Sequence, residues 1–145
     1  MSNPNPTQEQ LPPTRKHRIA VYGSLRKGEY NHSRGFANGA THVIDGHIEG
    51  AELVGGNAYP WVVPGNGRVL VEVYDIDDTT FEWIEAMERG AGYERRPVYV
   101  ISSAFGGAGY DAEAYFYKHP DYIKNNPRIA SGDWTKRDAE TASKE

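Results

Sequence analysis

The chain contains no cysteine. That excludes disulfides, thiolate metal centres and a cysteine nucleophile. No apolar run approaches the ~20 residues a membrane-spanning helix requires, so no membrane partner is expected. Cations do not predominate: 16 Lys and Arg stand against 20 Asp and Glu, a formal charge of −4. No basic footprint therefore argues for nucleic acid. Residues 1–10 are polar and carry Pro4 and Pro6 without an apolar signal core, so the cytoplasm is the expected compartment. The five histidines (His17, His32, His42, His47, His119) form no compact ligand motif, so no metal or other cofactor is expected. No Gly-x-Ser-x-Gly elbow surrounds Ser24, which argues against a serine nucleophile. The glycines lack the Gly-Lys-Ser/Thr element of a phosphate loop.

What is present is one domain's worth of chain, 145 residues, enough for a single hydrophobic core. Residues 1–16 read as a disordered arm with Pro4, Pro6, Pro12 and Pro13 and few apolar groups. The domain is expected over 17–135, and 136–145 as a polar tail. The run Ile19-Ala20-Val21 ends in Tyr22-Gly23-Ser24-Leu25, the pattern of a buried strand feeding a glycine turn. Gly23 permits positive φ and close approach of a ligand, so the turn can offer N–H groups and the Ser24 hydroxyl to an anion or carbonyl oxygen.

Further strands are expected at 43–54, 68–76, 93–103 and 111–117, with a tight turn at Gly65-Asn66-Gly67 and a hairpin loop at 105–109. On 68–76, Val69, Val71 and Val73 alternate with Leu70, Glu72 and Tyr74, one face in and one face out. Asp77-Asp78-Thr79 opens a helix, with Thr79 and Glu82 at capping-box spacing or either Asp as cap; the helix stops at Gly90. Strands around one or two short helices, joined as antiparallel hairpins, give a mixed α/β (α+β) domain.

One residue of that helix is out of place. With Phe81 at 0° and ~100° per residue, Trp83, Ile84 and Met87 fall near ~200°, ~300° and ~240°. Glu88 falls near ~340°, inside the apolar arc. Glu82 and Glu85 read as solvated carboxylates outside it, and Glu85→Gln is expected to change little. A carboxyl directed into an apolar face must be paired, protonated or used. Glu88 also sits in the last helical turn, where the macrodipole is negative. Burial and dipole both raise its pKa toward an acid/base range. Pairing with Arg89, Arg95 or Arg96, or curling back to solvent, is the structural alternative.

Four blocks in order resemble the γ-glutamylcyclotransferase-like (AIG2-like) superfamily, in the manner of its small bacterial members. They are Val21-Tyr22-Gly23-Ser24-Leu25; Tyr59-Pro60 through Val63-Pro64-Gly65-Asn66-Gly67 into Val69-Leu70-Val71-Glu72-Val73-Tyr74; Ala86-Met87-Glu88 with Tyr93-Glu94-Arg95; and Ala114-Tyr115-Phe116-Tyr117 with Ser131-Gly132-Asp133-Trp134. The resemblance implies a small mixed β-barrel with flanking short helices and a cavity at its mouth, floored by the Tyr-Gly-Ser-Leu turn. It implies cyclisation of a γ-glutamyl group to 5-oxoproline with release of an amine, the substrate being a small γ-glutamyl compound.

Glu88 takes the place of the family's acid/base glutamate, and the N–H groups of Gly23, Ser24 and Leu25 would bind the substrate carboxylate or the oxyanion. Tyr22 and Tyr115 or Tyr117 would line the pocket; the latter two share a strand face, and Phe116 points away. Arg95 would pair with Glu88, with a carboxylate, or structurally. Residues 31–35 and Trp61 would set the pocket's width. The alternative is a repurposed member that binds a small metabolite or a partner without catalysis. The two are told apart by whether Glu88 faces the same cavity as the turn.

Overall fold

A computed structural model describes residues 17–23, 25–27, 29, 32, 39–55, 60–104 and 107–136. The expected N-terminal arm, and the tail beyond 136, lie outside the described residues. The strands are β1 (His17–Val21), β2 (Ala40–Val54), β3 (Trp61–Ile76), β4 (Tyr93–Ser102) and β5 (Gly109–Tyr117), with helix α1 (Asp78–Gly90) between β3 and β4. They close into a barrel in the order β1-β3-β2-β4-β5. Every adjacent pair is antiparallel except β1 with β5, a parallel contact at Ile19 and Glu113. Closure leaves no free sheet edge. Both faces of the strands are used: Val62, Val69, Val73, Val100 and Ala114 are fully buried, and so are Ile84 of α1 and the pair Ile19 and Ile76, which share the opposite face of the β1–β3 ladder with Tyr74.

The outer face of β3 is covered too, which departs from simple alternation. Glu72 and Tyr74 are buried because the turn after β1 and the C-terminal segment lie over them. Arg26 donates from Nε to Glu72 and from Nη1 to Asp133, each at 2.9 Å. The Lys27 N–H and the Tyr74 hydroxyl complete the Glu72 carboxylate at 2.8 and 2.9 Å. The backbone follows: Leu70 N–H donates to Gly132 O at 2.8 Å and Ile129 N–H to Leu53 O at 2.9 Å.

Several expectations change. Gly65-Asn66-Gly67 is no turn: β3 runs through it, and these three residues stand opposite the single Gly50 of β2, between the pairs Glu49–Arg68 and Ala51–Pro64. This is a bulge that bends the long hairpin, with Gly50 at φ 76°. Of the two caps the sequence offers, an aspartate is the one used: Asp77 accepts from Thr80 N–H at 2.8 Å, so no Thr79–Glu82 capping box forms. The helix ends at Gly90 as expected, and the left-handed residue behind it is Gly92 (φ 94°). Trp83, placed on the apolar arc, is exposed. Among the described residues no helix is long and apolar enough to cross a membrane.

Gly132 has φ 72°, and a Cβ there would stand 2.2 Å from Arg68 O. Gly132→Ala is therefore expected to lower stability by about 2 kcal/mol or more. Gly90, with nothing within 4 Å of a Cβ, should accept alanine within about 0.5 kcal/mol. Urea unfolding of the two variants checks the contrast.

Candidate active site

Where β1 ends, the chain turns across one end of the barrel. The Arg26 N–H closes this turn on Gly23 O at 2.9 Å. Gly23 is not in the left-handed region. Glycine is needed there because a Cβ would meet the Pro60 ring at 2.9 Å, so its role is close packing rather than the positive φ the sequence suggested. Ser24 lies outside the described residues. Beyond the turn is a cavity of about 150 Å³ lined by Ala20, Val21, Tyr22, Gly23, Leu25, Pro60, Met87, Glu88, Ala91, Tyr93 and Tyr115. The β1 end supplies one wall, β4 and β5 contribute Tyr93 and Tyr115, and the last turn of α1 brings Met87 and Glu88.

The three cavity tyrosines spend their hydroxyls on the protein. Tyr22 donates to Tyr115 O at 2.6 Å, Tyr93 to Pro60 O at 2.5 Å and Tyr115 to Glu85 Oε1 at 2.5 Å. Burial pushes the Tyr22 and Tyr115 phenols well above the ordinary tyrosine pKa. Aliphatic and aromatic groups thus make most of the wall, and Glu88 is the one charged side chain among the described lining residues.

No described residue donates a hydrogen bond to the Glu88 carboxyl. The residue keeps some accessible surface, as a side chain facing a cavity does. Desolvation, followed by the charge of Glu85, raises its pKa to about 7; the helix C-terminus acts with the same sign. The three arginines that could have neutralised it are engaged elsewhere. Arg89 binds Glu85 at 2.8 Å, Arg95 binds Glu85 at 3.0 Å and Glu113 at 2.9 Å, and Arg96 binds Glu94.

The structure brings together Tyr22, Gly23, Leu25, Tyr115 and Glu88 as the sequence suggested. It does not bring in Tyr117 or Arg95. Tyr117 shares the face of Tyr115, but its ring lies against Tyr93 and Trp61 at 5.8 and 5.6 Å, one step past the cavity's rim. Trp61 is occupied in that aromatic packing rather than lining the cavity. The width residues 31 and 33–35 lie outside the described residues. Arg95 is held by Glu85 and Glu113, and stacks 5.0 Å over Phe81.

Glu85 is a correction: it is not solvated. Only 16 % of its side chain is exposed. Burial opposes its charge, but hydrogen bonds from Tyr115, Arg89 and Arg95 outweigh that and bring its pKa down to about 2. Ala20, Val21, Pro60, Met87, Ala91 and Tyr93 also line the cavity and are not among the expected site residues. Met87 and Tyr93 carry a signal, Met87 as the apolar-arc neighbour of Glu88 and Tyr93 as an aromatic opening the next strand; Ala91 carries none. Among the described residues no group of three His, Cys, Asp or Glu stands at metal-binding spacing.

Residues 19–136 match the family described as gamma-glutamyl cyclotransferase, AIG2-like. The gamma-glutamylcyclotransferase family protein YtfP of Escherichia coli is 38% identical over 122 residues, covering 83% of this chain and 98% of YtfP. A crystal structure of a protein from Pyrococcus horikoshii aligns with TM-score 0.63 and 34% identity over 88% of this chain and 97% of its own. That of an AIG2-like protein from Mus musculus aligns with TM-score 0.66 and 25% identity over 77% and 84%.

The Glu88 proton is linked to stability. The folded pKa of about 7 lies above the ordinary 4.5, so the folded state binds more protons between them and stability falls as pH rises through that window. Glu88→Gln carries no such charge. It is expected to match the parent near pH 4.5 and to exceed it by about 3 kcal/mol at pH 8, measured by urea unfolding at both values.

Proposed function

The chain belongs to the gamma-glutamyl cyclotransferase, AIG2-like family, and from that premise we propose that it cyclises the γ-glutamyl group of a small amide or amine to 5-oxoproline, with Glu88 as the catalytic acid/base. The observation that carries the reading is that Glu88 opens into the same cavity as Tyr22, Gly23 and Leu25. A repurposed binding protein has no need of a carboxyl to which no described residue donates, held at a pKa of about 7. A catalyst that must both take and return a proton does.

The substrate folds so that its α-amine reaches its own γ-carbonyl carbon. Holding these atoms in contact supplies the proximity that makes cyclisation fast. The Glu88 carboxylate removes a proton from the amine as nitrogen attacks, and the carbonyl π electrons move to oxygen. The N–H groups of Gly23 and Leu25 receive that oxyanion or the substrate's α-carboxylate. Collapse of the tetrahedral intermediate re-forms the carbonyl and breaks the original C–N bond. The leaving nitrogen takes the proton from Glu88, restoring the carboxylate. No water is consumed.

Glu88→Gln is expected to keep the fold and lose about 10²–10⁴-fold in kcat/KM, read as 5-oxoproline released from a panel of γ-glutamyl amines, γ-glutamyl amino acids and ε-(γ-glutamyl)-lysine. Because the base must start unprotonated, the parent's kcat/KM should rise with pH through an inflection near 7. Turnover of the panel by Glu88→Gln at the parent's rate would remove the assignment.

A further inference from the structure

The geometry points to Glu85 as a positioning residue for Glu88: an anion locked one helical turn before it, which sets a fixed negative charge beside the cavity carboxyl and ties the Tyr115 ring into the cavity wall. This rests on the reading of Glu88 as the acid/base.

Three donors from three elements converge on Glu85. Tyr115 of β5 and Arg95 of β4 share Oε1, at 2.5 and 3.0 Å, and Arg89 of α1 takes Oε2 at 2.8 Å. Arg95 is itself held from the other side by Glu113 Oε2 at 2.9 Å. A surface ion pair adds little and needs only one partner; this carboxylate is largely enclosed, in a network that includes a cavity-wall phenol. Residues three apart on a helix are neighbours, with Cβ atoms about 5–6 Å apart. Glu85 therefore lies close beside Glu88, and its charge is felt there.

Among the described residues, the titratable groups facing Glu88 from the packed elements are Tyr22 after β1, Tyr93 of β4 and Tyr115 of β5, with Glu85 on its own helix. Burial keeps the Tyr22 and Tyr115 phenols protonated, so they add no charge near neutrality. Glu85 is the anion, and Arg89 and Arg95, with Glu113 beyond, set how much of its field remains. The network thus has two charge signs that can be removed separately.

The test is the Glu88 titration itself, by carbon-13 NMR of side-chain carboxyls from about pH 4 to 9, with the Glu88 resonance assigned by its absence in Glu88→Gln. Glu85→Gln keeps an acceptor for Tyr115 and deletes the charge, so the Glu88 midpoint should move to lower pH. Arg95→Gln deletes the opposing cation, so the midpoint should move to higher pH. The acid limb of kcat/KM should follow each. A purely structural network would not give shifts of opposite sign. Midpoints that stay put, or that move the same way in both variants, overturn the proposal, and either variant alone decides the direction if the other fails to fold. Opposite shifts with full turnover by Glu88→Gln would uphold the electrostatic coupling and sink the catalytic reading instead.

Discussion

Arg26 is drawn between Glu72 and Asp133, and this buried cluster holds the end of β1 where the cavity needs it. Glu72 comes from the outer face of β3 and Asp133 from the C-terminal segment, so three distant stretches meet on one guanidinium. The cluster is well satisfied. Lys27 N–H and Tyr74 fill the Glu72 carboxylate, and Thr135 fills that of Asp133. Ion pairs out of water repay their desolvation only when their remaining lone pairs are met. Here they are met, so the cluster fixes geometry without leaving a buried charge exposed to loss. With Arg26 pinned, its N–H closes the turn on Gly23 and Pro60 packs against the glycine. The turn, rather than the barrel as a whole, is the part that must not drift.

Much of this could be read from the chain, and the failures share a cause. Glu88 was legible because a helix keeps its period through thirteen residues, so an angle on the wheel became a direction in space. Glu85 was not, although it sits about 60° from Glu88 on the same wheel. Hydrophobicity marks an arc by its apolar members, whereas Glu85 is buried by partners from β4 and β5 that no local pattern announces. Tyr117 failed differently. Alternation gives the face of a strand residue, not how far along the barrel it stands: Tyr93 lines the cavity, while Tyr117 packs against Tyr93 without lining it. Gly65-Asn66-Gly67 has turn composition but answers Gly50 across a ladder, which only strand pairing reveals. Barrel closure through the single parallel contact of Ile19 with Glu113 is non-local in the same sense.

Two carboxylates one helical turn apart end with pKa values near 2 and near 7, and the reason lies in how the cations are distributed. A sequence under selection for stability alone would let one of Arg89, Arg95 or Arg96 reach Glu88, because an unpaired acid in an enclosed site costs free energy whenever it ionises. Each of the three is committed elsewhere: Arg89 and Arg95 to Glu85, Arg96 to Glu94 with its guanidinium 5.1 Å over Phe116. Glu85 acts as a sink that draws positive charge away from the cavity while adding its own negative field to it. Among the described residues, the proton affinity of Glu88 is then set by burial and by the charge of Glu85 rather than by a hydrogen-bond donor. A hydrogen-bonded or ion-paired Glu88 would be more stable and less able to exchange a proton. The arrangement seen here accepts a loss of stability at the one side chain that the proposed reaction needs for proton exchange.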